Sequence, residues 1–539
     1  VLLRRLVFFA VLLATSAGIL ALVVLCLAPG GWNLAKVLIL MCFLVIAPWL
    51  GVCVGNALPG FLILMLARDP ARFVLPVAAE IDERELHEGM IVARTALLVT
   101  IRNEDIAALL PPMQHLLDGL APFGDRFTLC LLSDTQDAVL AAVEAAAVAR
   151  DPRIFYRRRA ENIGFKAGNV MEFLDSHGDG FELALMLDAD SEMTAAAVLT
   201  LVRIMQADPA MGIVQHLTVG RPANAAFARL FQFGMRSGMR VWAVGQAWWQ
   251  GADGPYWGHN AILRVAPFRA HARLQPLPNG AAILSHDQVE AARLRHYGWK
   301  VCVWAAEEGS MEGNPPAMPE FLARDARWLA GNLQYWHLLR LPGFRAMGRW
   351  QLVQAMLMFA GAPCYTALLP LAVLAQITAP PLLLTGLLVA WVLTLYAPKL
   401  SGYAQVLLTP GLARRYGGRL RFALGALMEF GFSLLLDAVS QASTSWGMIR
   451  LAFGRKAGWL PQNRADRGVA AREAIGLFWP HSVFGLFVSV ALGPASLPWT
   501  AGLVLAVPFC VLTADPVVSA WLRRLGIAAT PEELFPSGR

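Results

Sequence analysis

Residues 6–27 and 37–66 contain no charged side chain, and that property constrains the chain more than any other. About 20 consecutive apolar residues are enough to cross the hydrocarbon core of a bilayer, where a backbone must close its hydrogen bonds internally and so becomes helix. Further apolar runs at 356–376, 381–396, 475–492 and 499–512 extend the same reading to the second half, in keeping with a mean hydropathy of +0.51. Between them, from 67 to about 349, charges return, apolar runs shorten to strand length, and Asp, Asn and Gly recur at turn spacing, as in a water-facing domain. The organisation expected is two membrane helices in 1–67, a folded domain in 68–349, membrane and interfacial helices in 350–520, and a cytoplasmic tail in 521–539.

Arg4 and Arg5 precede the first run as they would in a secretory signal, whose apolar core is roughly 7 to 15 residues long. This run is longer and a second follows closely, so a retained anchor is read rather than a cleaved leader. The Lys/Arg bias puts the large domain on the cytoplasmic side. The loop with Lys399, Arg414, Arg415, Arg419 and Arg421 and the loop with Arg455, Lys456, Arg464 and Arg467 are both basic. A single span at 422–448 would separate those loops, and the segment carries Glu429, Asp437 and Gln441. An interfacial or re-entrant amphipathic helix is therefore expected there, with one spanning helix as the alternative. The formal charge of +7 is that of basic loops beside anionic lipid and calls for no nucleic-acid partner. The seven cysteines form no C-x-x-C pair, which speaks against zinc or redox chemistry.

Within the domain, strand-like runs alternate with helical patterns, which implies an α/β fold with a parallel sheet and ligands beyond the carboxyl ends of the strands. Polar residues stand at those ends: Asn103-Glu104 after 95–101, Asp134 after 127–132, and Asp188-Ala189-Asp190 after 183–187. Asn103 and Asp134 also suit helix caps. Asp188 and Asp190, at period two, share a face, and a hard divalent ion, Mg²⁺ or Mn²⁺, would join both to a nucleotide diphosphate. Lys166, between Gly164 and Gly168, suits a phosphate or an exposed turn; the spacing excludes a P-loop. Arg157, Arg158 and Arg159 read as a solvated basic edge. The segment 231–249 is amphipathic, and its Trp242, Trp248 and Trp249, with Tyr256 and Trp257 beyond, could stack on a ligand or anchor a helix at the membrane surface. His259 suits a ligand hydroxyl or a structural bond. Glu307, Glu308 and Asn314 lie in a loop punctuated by Gly and Pro that could cover a nucleotide. Asp287 is either a general base or an ordinary first-turn acid behind a Ser285–Gln288 capping box.

The order of these motifs, ending in Gly258-His259-Asn260, Ser285-His286-Asp287 and Arg327-Trp328, resembles the processive family-2 glycosyltransferases, which include cellulose and hyaluronan synthases. Within that group, Gly258 to Ile262, Leu284 to Asp287, and Arg324-Asp325-x-Arg327-Trp328 followed by Gly331-Asn332-Leu333 look most like the glucans biosynthesis glucosyltransferase H family, inner-membrane synthases of osmoregulated periplasmic glucans. The resemblance covers about 95–335 and the flanking membrane segments. It implies a GT-A-like nucleotide-sugar domain between membrane helices. In that domain Asp134 lies at the uracil, Asp188 and Asp190 hold nucleotide and metal, and Asn103, Glu104 and Lys166 complete the nucleotide set. Asp287 is the implied base, with Arg327, Trp328, Arg324, His259 and Asn260 toward acceptor and pyrophosphate. UDP-glucose as donor, a growing β-1,2-linked glucan as acceptor and an acyl carrier protein as partner are implied by the resemblance alone. One departure is Arg324, which stands where the wider family has Gln, unlike a plain cellulose or hyaluronan synthase. A polyprenyl-phosphate sugar transferase and a nucleotide-sensing transporter are the rival readings.

Overall fold

The computed structural model describes residues 1–454 and 466–535; Arg455, Lys456, Arg464 and residues 536–539, with the expectations placed on them, lie outside. The domain is built on strands β1 (Thr95–Ile101), β2 (Phe127–Ser133), β3 (Ile154–Arg158), β4 (Leu183–Asp188), β5 (Glu192–Met193), β6 (Met211–His216), β7 (Val219–Gly220), β8 (Ala261–Arg264), β9 (Lys300–Trp304) and β10 (Ser310–Glu312). Seven of them form one sheet in the order β3-β2-β1-β4-β8-β6-β9, parallel except that β8 runs against both neighbours. The central strands are continuous apolar runs because helices cover both faces. The expected α/β class is therefore present, with a mainly parallel sheet. β5, β10 and β7 make a small second sheet beyond the end of β4.

Register decides what meets at the sheet edge. Ile101 lies opposite Ser133, Ser133 opposite Arg158, and Thr100 opposite Asp188. The antiparallel pairing of Met186 with Ala261 brings the turn Gly258-His259-Asn260 beside the end of β4.

Among the described residues five helices are long and apolar enough to cross a membrane: Leu2–Leu27, Leu34–Leu66, Ala346–Ala375, Arg419–Ala452 and Ala471–Leu492. Two bent pairs, Pro381–Leu395 with Ala397–Leu408 and Pro494–Val504 with Ala506–Thr513, pass the same test if each counts as one span. For segment 422–448 the structure removes the re-entrant form of the expectation and leaves the interfacial and spanning forms. The segment lies within one unbroken helix of 34 residues, about 51 Å long at 1.5 Å per residue, so it is not re-entrant. Its acids do not face lipid. Glu429 is buried, accepts from Lys399 Nζ at 2.6 Å and Ser433 Oγ at 2.7 Å and contacts the Tyr403 hydroxyl, while Asp437 accepts from Tyr396 at 2.5 Å. Partners inside the bundle remove the objection that those charges raised.

The domain hangs on the membrane helices through the amphipathic helix Ala226–Gln250. Gly60 faces the Val241 carbonyl and Gly245 the Asn56 carbonyl so closely that a Cβ at either would collide with backbone. Trp249 is buried; its ring stacks on Phe8 at 3.8 Å and its Nε1 donates to Asn56 Oδ1 at 2.8 Å. Trp242 lies 5.8 Å from Trp49, and Arg4 sits over Trp248 at 5.7 Å. These tryptophans pack against the N-terminal apolar helices, and Trp249, fully buried, has no face left for a glycan. Tyr256 is buried as well.

The same helix receives the C-terminal segment and the loop after β9. Arg229 donates to the Ile527 carbonyl and to Glu533, and Arg236 pairs with Glu532 at 2.8 Å and Glu307 at 2.9 Å. Arg240 also reaches Glu307, at 3.2 Å. Glu307, expected in a mobile cover, is thus 5% exposed and pinned by two guanidiniums, and Glu308 pairs with Arg415. Asn314 is not a free loop tip either, since its amide is buried.

Trp249→Ala should remove the stack, the hydrogen bond and a fully buried ring together, a loss of about 3–5 kcal/mol for such a truncation. Thermal unfolding in detergent should show a clear fall in Tm for it and a much smaller one for the partly exposed Trp248→Ala.

Candidate active site

Helix caps settle one alternative. Asp105 caps the helix after β1 and Asp137 the helix after β2, so neither Asn103 nor Asp134 is used as a cap. Asn103 instead takes a left-handed backbone, φ 57°, with its N–H donating to Thr135 Oγ1 at 2.8 Å. Glu104 follows it, half-buried.

Asp134 is buried and forms a two-pronged pair with Arg159 through Nε and Nη2. Arg159 also donates to the Ile163 and Phe165 carbonyls, both at 2.8 Å, and so shapes the turn that presents Lys166. The expected solvated basic edge is therefore reduced to Arg158, which is exposed, while Arg157 is half-buried and Arg159 buried. β3 ends opposite Ser133, which drops Arg159 onto Asp134, while Arg158 donates to the Thr135 carbonyl and Arg157 to the Asn169 carbonyl. Beneath this, Glu144 is buried and accepts from Ser133, Thr135 and Tyr156.

Lys166 opens the helix Phe165–His177 after Gly164, whose φ of 70° needs glycine. Its ammonium pairs with Asp188 and donates to the Gly258 carbonyl at 2.7 Å. On the other side of Gly258, a Cβ would lie 3.4 Å from Asp287 Cβ and 3.7 Å from His286 Cε1. One residue, itself at φ 84°, thus joins the Lys166–Asp188 pair to Asp287.

Asp287 begins the helix Asp287–His296, and the expected capping box does not form: the cap is His286, in helical conformation and making no side-chain capping bond to the helix N–H groups. Ser285 is held otherwise, its carbonyl accepting from Tyr335 at 3.0 Å and its side chain lying against Gly331. His286 donates through its ring to Glu290, 2.8 Å away; burial works against the imidazolium but Glu290 outweighs it, so its pKa is raised. His286 is occupied. Burial likewise pushes the Asp287 carboxyl above the ordinary aspartate range, against the pull of His286, which makes it a stronger proton acceptor once ionised.

His259 Nε2 lies 3.3 Å from Glu312, a residue missed in the sequence, and Asn260 is structural, its amide donating to Ser310 Oγ at 2.9 Å and to the Met311 carbonyl. The helix Met318–Leu333 carries the remaining set. Trp328 is 46% exposed, and the Arg324 guanidinium lies over its ring at 4.4 Å and near Phe231 and Phe321. Burial lowers the pKa of Arg324, which lies within electrostatic reach of Asp325, Glu312 and Asp190. Arg327 is half-buried on the same helix.

No group of three or more His, Cys, Asp or Glu converges on a metal position among the described residues. Asp188 and Asp190 thus offer two carboxylates. That donor set fits Mg²⁺ or Mn²⁺, hard ions bound by one or two carboxylates together with water and substrate phosphate.

Residues 183–399 match the sequence model of the family described as Glycosyl transferase family group 2. Glucans biosynthesis glucosyltransferase H of Xylella fastidiosa (strain 9a5c) is 32% identical over 549 residues, which span 94% of this chain and 85% of that protein. The protein of the same name from Caulobacter vibrioides (strain NA1000 / CB15N) is 33% identical over 544 residues, 93% and 80%. The chain belongs to the glucans biosynthesis glucosyltransferase H family. Like its relatives it is a glucan-synthesising glycosyltransferase, acting on a nucleotide sugar and a glycan acceptor, and its apolar helices make it a membrane protein. A mannosyltransferase from Pyrobaculum calidifontis, solved in complex with GDP-Man and Mn²⁺, covers 67% of this chain and 99% of its own at 13% identity and a TM-score of 0.39, too distant to speak to donor or metal.

Asp287→Asn should lower glucan synthesis about 10²- to 10⁴-fold, the usual cost of losing a general base, with Tm and nucleotide binding near wild type. Because the Asp287 carboxyl is raised, the acid limb of the kcat/KM profile should lie above the ordinary aspartate range, activity falling as pH falls through it. Gly258→Ala, strained by about 1–2 kcal/mol at its left-handed φ, should reduce kcat well beyond any fall in Tm.

Proposed function

We propose that this chain is a processive, inverting glucosyltransferase of a bacterial inner membrane, with its α/β domain in the cytoplasm, that uses UDP-glucose to build and export a β-1,2-linked glucan. The observation that carries the reading is the Gly258 turn, which joins Asp287 to the Lys166–Asp188 pair across a single residue. Inversion needs a base on the acceptor side and cationic stabilisation on the leaving-group side. Asp287 takes the proton of the attacking hydroxyl, whose oxygen bonds to the anomeric carbon as the bond to UDP breaks on the opposite face. Lys166 receives the departing diphosphate, while Asp188 and Asp190 would hold Mg²⁺ or Mn²⁺, which supplies charge neutralisation at the phosphates. Asp134, fixed by Arg159, with Asn103 and Glu104, lines the base and ribose side, and Trp328 with Arg327 faces the acceptor.

Support for export comes from polar groups leading away from the site. Arg324 lies 3.8 Å from Asp325, which burial pushes up to about 6 and which bonds to Ser440 of the Arg419–Ala452 helix. Asp437, one turn from Ser440, and Gln441 line a cavity of about 360 Å³ walled mainly by apolar residues and by Tyr365, Trp391 and Trp499. The acyl carrier protein plays no part in this reading.

Purified protein in liposomes, given labelled UDP-glucose, should yield a polymer whose linkage analysis shows β-1,2 bonds, and Asp190→Asn or EDTA should abolish both donor binding and synthesis. A lipid-linked monosaccharide would mean a polyprenyl-phosphate transferase, and full activity in EDTA would remove the metal from the mechanism.

A further inference from the structure

Glu312 ends β10, and its backbone is fixed independently of its side chain. Asn260, buried and left-handed at φ 48°, clamps Ser310 and Met311, and Arg221 N–H donates to the Glu312 carbonyl at 2.8 Å. At the next residue, Gly313, a Cβ would lie 3.3 Å from Asp190 Oδ2. The Glu312 carboxylate is thereby held close to the acids of the nucleotide site, its side chain 27% exposed, with Oε2 3.3 Å from His259 Nε2. Burial, together with Asp190 and Asp188, raises its pKa, while His259 pulls it down. A third acid beside Asp188 and Asp190 weakens the fold and repels a diphosphate. What it suits is a neutral group rich in hydroxyls lying next to that diphosphate, because a carboxylate can accept two hydrogen bonds from neighbouring hydroxyls.

We propose that Glu312, oriented by His259, accepts hydrogen bonds from hydroxyls of the donor hexose and so sets which sugar is transferred. The proposal rests on the nucleotide-sugar reading of the site, and takes UDP-glucose as donor. Removing one charged acceptor from sugar hydroxyls should cost about 10- to 100-fold in donor KM.

The full chain in liposomes is assayed with UDP-glucose and UDP-galactose, and binding of UDP alone is measured by calorimetry. In Glu312→Gln, UDP affinity should stay within about twofold of wild type, the magnitude of a lost water-exposed contact, while KM for UDP-glucose rises and its preference over UDP-galactose falls toward parity. His259→Gln should shift the same ratio in the same direction by less. An unchanged KM and donor ratio in Glu312→Gln would overturn the proposal, as would an equal loss of UDP and UDP-glucose binding, which marks a structural or metal-site role. If wild-type protein turns over another nucleotide sugar and not UDP-glucose, the donor assignment falls separately, and the same comparison with that sugar against its epimer decides Glu312.

Discussion

The close approach of Gly60 and Gly245 to each other's helix backbones sets how the catalytic half is carried by the membrane half. Backbones that touch without intervening side chains leave little freedom to slide or roll, because any shift brings carbonyls into conflict. The Trp249 ring, stacked on Phe8 and bonded to Asn56, locks the same crossing in rotation. From that fixed helix, Arg236 and Arg240 reach Glu307 in the loop after β9, so this edge of the sheet is tied to the same helix.

Charge is handled differently in the two halves. Inside the bundle Glu429 meets Lys399 and Asp437 meets a tyrosine hydroxyl, each acid answered locally. At the sheet edge, Asp188, Asp190, Glu312 and Asp287 gather around Lys166, His259 and Arg324. That negative surplus is unfavourable to folding and is what a site for a cation and a polyol requires.

The α/β core was legible because buried parallel strands are written as apolar runs: 95–101, 127–132 and 183–187 could be read directly, and with them the polar residues at their ends. What pairs with those residues was not legible. Arg159 looks like any surface arginine until the β2–β3 register drops it on Asp134, and Glu312 sits in a three-residue strand whose neighbours are β5 and β7, far away in sequence. The form of segment 422–448 was not legible for the same reason, since whether Glu429 can enter a membrane depends on Lys399, thirty residues earlier. Asp287 was seen, but the Ser285–Gln288 capping pattern is overridden by Tyr335 and Gly331, which claim Ser285 from another helix.

The pairing of Arg229 and Arg236 with Glu533 and Glu532 has a consequence in time. The partners are separated by 304 and 296 residues, which at ribosomal speeds of about 5–20 residues per second is a delay on the order of 15 to 60 s. Through that interval the carboxylate partner of Arg229 is still untranslated, whereas Arg236 has Glu307, 71 residues further on. The domain therefore cannot reach its final packing while it emerges. These pairs close only once the C-terminal segment has been made, after every helix between the partners has been translated.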